Sequence, residues 1–357
     1  MRVILRKLSA GLLLTLLTAV VWVTGDNPAD AQSNTRSFLM MLWNYQPTNP
    51  VTMSPAIHDA NADIPTFWDW HAQPATGPSI WLSYPGDGYP LTSIGPPIIA
   101  ASIDWSRIVA VEFDEPYASV DTGLFTSDSP PWNGSNYTKS NCSTPNSATL
   151  TRIANIDADL SARAAELKAL APKARFWVNL DSAEAFWIAT CGGSPLVFNR
   201  SYIDVISFDA YSVSIDLYIA PATTAVRSSS SSPSLQRPDQ QVALIPGVFS
   251  SIPAAQQIGF LQGYFGYANN ANQTCTLPLG SRGVTGIGDG CPVWIVMGFL
   301  PYDDPADNIL GMLDTGTNAE AIAYNWQAEL AFPLSPSLAS QRTPAQIIQP
   351  VLRRLLP

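Results

Sequence analysis

The sequence predicts an α/β protein built as a (β/α)8 TIM barrel. Two observations support this fold class. Eight short apolar segments, rich in β-branched and aromatic residues, recur between turn-forming residues, which is typical of strands buried on both faces of a parallel sheet. Helical periodicity follows several of these segments. An open, doubly wound sheet is the alternative, because the early helices are poorly defined in the sequence.

Eight segments of the chain are predicted strands. They cover residues 38–45, 64–70, 79–84, 108–117, 174–180, 202–208, 242–249 and 292–300. The clearest helix spans 147–171, where apolar residues fall on one helical face until Pro172 ends it. A second amphipathic helix covers 253–268. A capping box at Thr317-Asn318-Ala319-Glu320 opens a last helix that continues to Leu330.

The first 31 residues read as a secretory signal peptide. Arg2, Arg6 and Lys7 precede an apolar run from about Leu12 to Val23, and Ala29-Asp30-Ala31 supplies a cleavage pattern. A retained membrane anchor is the weaker alternative, because the run is short for a full span. We therefore expect a secreted or periplasmic protein without stable membrane association after cleavage. Residues 32–335 form the predicted single catalytic domain, and 336–357 form a C-terminal tail.

The charge of the chain disfavours polyanionic partners. The formal net charge is −10, only 13% of residues are charged, and 46% are hydrophobic. Nucleic acid and anionic membranes require clustered Lys and Arg, so we expect neither as a partner. A chain of 357 residues can bury a large core, and we expect a monomer.

Cysteine and histidine are scarce, which argues against a zinc site. The chain has four cysteines, Cys142, Cys191, Cys275 and Cys291, and two histidines, His58 and His71. None of the cysteines forms a Cys-x-x-Cys unit. In an oxidising compartment two disulfides are expected, and we favour Cys142 with Cys191 and Cys275 with Cys291. We predict neither a metal nor a cofactor.

Three acidic residues at the end of the fourth strand are the main functional signal. The run Ile108 to Tyr117 is apolar and β-branched, yet it delivers Glu112, Asp114 and Glu115 within four positions. Pro116 cannot donate to a strand ladder, so the strand ends there and the acids lie at its rim. Crowded, buried carboxylates raise at least one pKa, which is typical of active sites.

The barrel would gather further polar and aromatic side chains at the same rim. Asn179 and Asp181 follow the fifth strand and Asp209 the sixth. The aromatic candidates are Trp43, Tyr45, Trp81, Tyr211 and Tyr302. Carboxylates surrounded by aromatic rings suit a sugar, whose C–H groups stack on aromatic faces and whose glycosidic bond is cleaved by one protonated and one ionised carboxyl group. The predicted partner is therefore a carbohydrate substrate.

The segment Asp114-Glu115-Pro116 resembles the motif of the (β/α)8 glycoside hydrolases. In clan A families the fourth strand ends in Asn-Glu-Pro, so the resemblance implies that Glu115 is the general acid. Asp replaces Asn here, and the seventh strand is followed by Pro246–Ser251, which contains no acid where those families carry their nucleophile. Chitinase-like and α-galactosidase-like families use strands four and six, an arrangement that Asp209 would serve.

These residues define a specific hypothesis for the site. Glu115 is the general acid, and Asp209 is the second carboxylate, either nucleophile or base. Asp114 belongs to the catalytic group and, with Asp181, binds sugar hydroxyls or raises the pKa of Glu115. Glu112 shares strand parity with Asp114 and could exchange roles with Glu115. The second carboxylate could act with retention or with inversion of the anomeric centre.

A non-catalytic, secreted carbohydrate-binding barrel is the alternative function. The missing acid after strand seven motivates it. It would keep the aromatic rim and bind glycans without releasing product. A different hydrolase is a third possibility, but no Gly-x-Ser-x-Gly elbow is present, and a two-histidine phosphodiesterase would need both His58 and His71.

Overall fold

A computed structural model describes the central part of the chain. It describes residues 36–43, 63–68, 73–83, 103–117, 121–125, 139–193, 195–196, 200–210, 215, 219–227, 240–250, 252–272, 291–299, 311–312 and 317–331. The predicted signal peptide and C-terminal tail lie outside these ranges. Among the helices that are described, none is long and apolar enough to cross a membrane.

Eight parallel strands form one sheet, and this confirms the predicted barrel. The strands are β1 (Leu39–Leu42), β2 (Thr66–Trp68), β3 (Ser79–Ser83), β4 (Ile108–Phe113), β5 (Arg175–Leu180), β6 (Val205–Ala210), β7 (Gln241–Pro246) and β8 (Val293–Gly298). Their order in the sheet is β1-β8-β7-β6-β5-β4-β3-β2, so the first and last strands in sequence are neighbours. The sheet curls into a nearly closed barrel, and the doubly wound alternative is wrong.

Helices connect the strands. They are α1 (Asp121–Leu124), α2 (Ser147–Leu170), α3 (Ser182–Phe186), α4 (Ile219–Arg227), α5 (Ala254–Ala271) and α6 (Thr317–Leu330). The predicted helix after strand four is confirmed as α2. It begins because the Asn146 side chain accepts a hydrogen bond from the backbone N–H of Thr149, and it ends before Pro172. A π-helical turn, Trp187–Cys191, extends α3.

Alternate residues of the strands pack on opposite faces of the sheet. One apolar cluster combines strand residues such as Phe176 and Phe208 with helix residues such as Leu160 and Leu261, so it fills the layer between sheet and helices. The second cluster, which includes Ile80, Leu82, Trp177, Ala243, Ile245, Trp294 and Met297, consists almost entirely of strand residues. The second cluster therefore fills the barrel interior, and its strand parity identifies the side chains that point inward.

Side chains and loop groups close the seam between β1 and β2. The Thr66 hydroxyl donates to the carbonyl of Leu42 at 2.8 Å, and the backbone N–H of Asp63 donates to the carbonyl of Met40 at 2.7 Å. The Asp63 carboxylate also pairs with the buried guanidinium of Arg36. These contacts join β1 to the amino end of β2, two strands that the sheet ladder does not pair directly.

One of the two predicted disulfides is confirmed. Cys142 and Cys191 are bonded, with Cα atoms 5.7 Å apart. The bond joins the loop that follows β4 to the end of the helical segment that follows β5. Cys275 lies outside the described residues, so its pairing with Cys291 stays a prediction.

Candidate active site

Polar side chains form a layer at the carboxyl end of the barrel interior. Asp114 directly follows β4, two residues after Glu112 and with the same strand parity. Asn179 on β5 is in register with Ser207 on β6. All four residues are buried, and Glu112 is wholly enclosed. Below this layer the barrel interior holds mainly apolar side chains together with the buried Arg175, whose guanidinium lies 4.0 Å from the centre of the Trp294 ring. The polar layer lies where parallel α/β barrels place their active sites.

A directed chain of hydrogen bonds links three strands in this layer. The Trp177 indole N–H donates to the Ser207 hydroxyl at 2.6 Å, and that hydroxyl donates to Asn179 Oδ1 at 2.6 Å. The Asn179 amide N–H then donates to Asp114 Oδ1 at 2.7 Å. The chain therefore runs from β5 to β6, back to β5 and on to β4. We name these four residues the polar relay.

Asp114 is a buried carboxyl group that binds its proton more tightly than an ordinary aspartate does. Burial raises its pKa from an ordinary 3.8 to about 6, because water no longer solvates the charged form. The hydrogen bond from Asn179 lowers the pKa in part, and the negative charge of Asp181 raises it. The like-charge effect seen here is that of Asp181 on Asp114, whereas the predicted effect of these two residues on the pKa of Glu115 stays a prediction.

Glu115 occupies a strained turn at the same strand end. Its φ of 42° makes it the one non-glycine residue with a positive φ among those that the structure describes. Its backbone N–H donates to the carbonyl of Asn179 at 3.1 Å, while that of Asp114 donates to the carbonyl of Ser83 at 3.1 Å. These bonds hold the turn between β3 and β5. Such strain costs about 1–3 kcal/mol and is concentrated at functional sites.

Asp181 has a structural role that sequence reasoning missed. It is the N-cap of α3, where its Oδ1 accepts hydrogen bonds from the backbone N–H groups of Ala183 and Glu184. The Glu184 carboxylate accepts in return from the N–H of Asp181, which completes a capping box. The sequence Asp181-Ser-Ala-Glu184 carries this signal. Asp181 therefore influences the site through its charge, and one of its oxygens is committed to the helix.

Asp209 is placed by its backbone alone. It lies in β6 opposite Ile245 of β7, whose side chain belongs to the interior cluster. Asp209 is also two residues beyond Ser207 and shares its strand parity. Its strand lies two positions from β4 in the sheet, which corresponds to about 10 Å.

The aromatic candidates separate into different parts of the molecule. Trp43 follows β1, is partly exposed, and contacts Phe299 after β8, with ring centroids 4.6 Å apart. Trp81 instead lies on the outer face of β3, fully buried against Phe67 and Trp105, so the structure does not bring it to the acidic group. Tyr45, Tyr211 and Tyr302 lie outside the described residues.

Phe299 is a rim residue that sequence reasoning overlooked. It also contacts Phe249, which follows β7, in an edge-to-face arrangement at 6.4 Å. Trp43, Phe249 and Phe299 thus form an aromatic cluster where β1, β7 and β8 end. The signal was the position of both phenylalanines just after strands that are adjacent in the barrel.

Comparisons with known proteins find no relatives. The chain matches no protein-family model, no curated protein and no solved structure. Within the described ranges, no group of three or more His, Cys, Asp and Glu side chains could hold a metal ion.

Proposed function

We propose that the protein is a glycoside hydrolase whose site lies at the carboxyl end of the barrel. The observation that supports this most directly is the buried carboxyl group of Asp114, whose pKa of about 6 lies well above that of an ordinary aspartate. A glycosidase needs one carboxyl group that still carries its proton near neutral pH and a second one that is ionised. The candidates for the second are Glu115, the next residue along the chain, and Asp209, on a strand two positions away in the sheet.

We assign proton donation to Asp114 and thereby revise the role that the motif resemblance implied for Glu115. Asn179 engages one oxygen of Asp114, so the other oxygen is the one that would protonate the departing glycosidic oxygen. Asp209 or Glu115 would attack the anomeric carbon or activate a water molecule. The partly exposed Trp43 would stack on a sugar ring.

Substrates with different leaving groups test these roles. We would measure wild-type, Asp114→Asn, Glu115→Gln and Asp209→Asn proteins on panels of 2,4-dinitrophenyl and 4-nitrophenyl glycosides and on soluble polysaccharides. Dinitrophenolate departs without protonation. Asp114→Asn should therefore lose about 10²- to 10⁴-fold of its activity on polysaccharide and retain most of it on a dinitrophenyl glycoside. A variant that lacks the attacking carboxylate should lose both activities.

A matched control separates chemistry from general effects of charge removal. Asp104 is an exposed aspartate that precedes β4 at the opposite end of the barrel, so Asp104→Asn should leave every rate unchanged. Equal activity of the Asp114→Asn protein on all substrates would refute the assignment of the proton donor. Wild-type protein that cleaves no member of the panels would refute the proposed function.

A non-catalytic carbohydrate-binding barrel is the second candidate. It is favoured by the aromatic cluster at the rim and by the absence of an acid in the segment 246–251 after β7. In that case wild-type protein would bind a glycan saturably and release no reducing ends. Trp43→Ala would weaken this binding, whereas Asp114→Asn would not.

A further inference from the structure

The polar relay contains two residues, Ser207 and Trp177, whose hydrogen bonds lead to Asp114 through Asn179. The direction of each hydrogen bond in the relay follows from which groups can donate and which can accept. An indole N–H can only donate, so the Ser207 oxygen accepts from Trp177. The single proton of the hydroxyl is then directed to Asn179 Oδ1. Asn179 therefore turns its amide N–H, and not its carbonyl oxygen, toward Asp114.

The opposite orientation of the Asn179 amide would change the surroundings of Asp114. It would place the amide oxygen against the carboxylate oxygen, two acceptors facing one another. An N–H donor instead stabilises the ionised carboxylate and opposes the effect of burial. The neighbouring acidic residues do not stabilise the ionised form of Asp114, because a negative charge on them would repel it. They are Glu112 and Glu115 on its own segment and Asp181 after β5.

We infer that Ser207 and Trp177 are positioning residues, which hold the Asn179 amide in the orientation that keeps Asp114 able to cycle between its protonated and ionised forms. A catalytic role for this arrangement rests on the proposed function. The orientation of the hydrogen bond from Asn179 to Asp114 does not. Ser207 acts directly on the amide, and Trp177 acts by occupying the acceptor side of Ser207. Loss of the Ser207 hydroxyl should therefore change the pKa of Asp114 more than loss of the Trp177 indole N–H does.

The test is a titration of the Asp114 side chain, followed through its ¹³Cγ resonance, in wild-type, Ser207→Ala and Trp177→Phe proteins. The resonance is assigned by its loss in Asp114→Asn. A donor N–H stabilises the ionised carboxylate, so freeing the amide should raise the pKa of Asp114 by about one to two pH units in Ser207→Ala. The shift should be in the same direction and smaller in Trp177→Phe.

Two further variants complete the design. Ser207→Thr keeps the hydroxyl and should restore the wild-type midpoint. Thr66→Val removes another buried hydroxyl, one that donates to the Leu42 carbonyl away from the relay, and should lower stability without moving the midpoint. If Ser207→Ala does not fold, Trp177→Phe alone decides, because its midpoint either rises or does not.

Unchanged midpoints in the Ser207→Ala and Trp177→Phe proteins would overturn the inference, as would a downward shift. The outcome is separate from that of the proposed function, because the titration needs no substrate. If hydrolysis is found, the limb of the pH–rate profile that reports Asp114 should shift to higher pH in Ser207→Ala, by the same amount as the measured pKa. If the protein hydrolyses glycosides but the pKa of Asp114 is the same with and without the Ser207 hydroxyl, the proposed function stands and the positioning role of Ser207 is refuted.

Discussion

The two ends of the barrel treat acidic side chains in opposite ways. At the amino ends of the strands, acids have basic partners: Asp63 pairs with Arg36, and Asp204 with Lys168 at 2.9 Å. Burying a charge is costly unless it is paired, and here the pairing also joins neighbouring elements. This end of the barrel is built for stability.

At the carboxyl end, Asp114 is bonded instead to a neutral amide, and the charge that shifts its pKa is that of another carboxylate, Asp181. The neighbouring Glu115 is held with a strained backbone. Both features lower stability, and neither is needed to form the barrel. The difference indicates that the carboxyl end gives up stability where it holds a carboxyl group with a raised pKa.

The largest effect should come from breaking the pairing at the amino end. Asp63→Asn would leave the buried Arg36 charge without its carboxylate, and we expect a loss of about 3–5 kcal/mol in the free energy of unfolding. Urea denaturation at pH 7 measures it. The control is Glu166→Gln, which removes an exposed partner of Arg163 on α2 and should cost about 1 kcal/mol or less. Similar losses of stability in both variants would show that the buried ion pair at the amino end contributes no more than an exposed one.

The disulfide near the site should contribute the next largest amount. Replacing Cys142 and Cys191 by serine opens a crosslink between residues 49 positions apart, and we expect a loss of about 2–4 kcal/mol. Thermal and urea unfolding of the double variant, compared with the wild type under oxidising conditions, provide the measurement. If stability is unchanged, the bond does not support the segments that follow β4 and β5.

Neutralising Asp114 should stabilise the protein, which is the opposite of the effect at Asp63. The folded-state pKa of Asp114 is raised, so the folded protein binds more protons than the unfolded chain between about pH 4 and pH 6, and stability falls as the pH rises through that window. A shift from 3.8 to about 6 corresponds to about 3 kcal/mol above pH 6. Asp114→Asn should therefore gain up to that amount.

The pH dependence makes this prediction specific. The gain of Asp114→Asn over the wild type should be present at pH 7.5 and absent at pH 3.5, where Asp114 is protonated in both states. Urea denaturation at the two pH values checks it. A destabilised Asp114→Asn protein at pH 7.5 would show that the carboxylate is favourably paired, and the proposed difference between the two ends would be lost.

The smallest effect concerns the strained turn. At ordinary positions glycine is less stabilising than alanine by about 0.5–1 kcal/mol, but a left-handed conformation costs a residue with a Cβ atom about 1–2 kcal/mol. Glu115→Gly should therefore be more stable than Glu115→Ala by about 1 kcal/mol. Both variants lack the carboxylate, so their comparison isolates the backbone. If alanine is the more stable, the turn is not strained.

The sequence was sufficient to predict the barrel because its strands carry a local signal. A run such as Ile108–Phe113 is apolar, β-branched and ended by proline, and the prediction needed no long-range information. The 24-residue helix α2 was equally clear, since its periodicity and its boundary at Pro172 are properties of neighbouring residues. The placement of Asp114 at a strand end followed directly from the strand itself.

The contacts within the site could not be predicted in the same way. Trp177 and Ser207 are 30 positions apart, and their hydrogen bond depends on the register between β5 and β6. The assignment of Trp81 to the site was wrong, because its side chain lies on the outer face of β3. A change of one residue in register exchanges the two faces of a strand, and the sequence alone does not fix that register. Asp181 could have been recognised as a helix cap from its spacing to Glu184.

The most direct test of the account is the titration of Asp114 in the wild-type protein by ¹³C NMR, without any ligand. We expect a midpoint near pH 6, because the carboxyl group is buried, feels the negative charge of Asp181 and accepts a hydrogen bond from the neutral amide of Asn179. A midpoint near pH 4, the value of a solvated aspartate, would contradict the central claim that burial at the carboxyl end of the barrel raises the pKa of this carboxyl group.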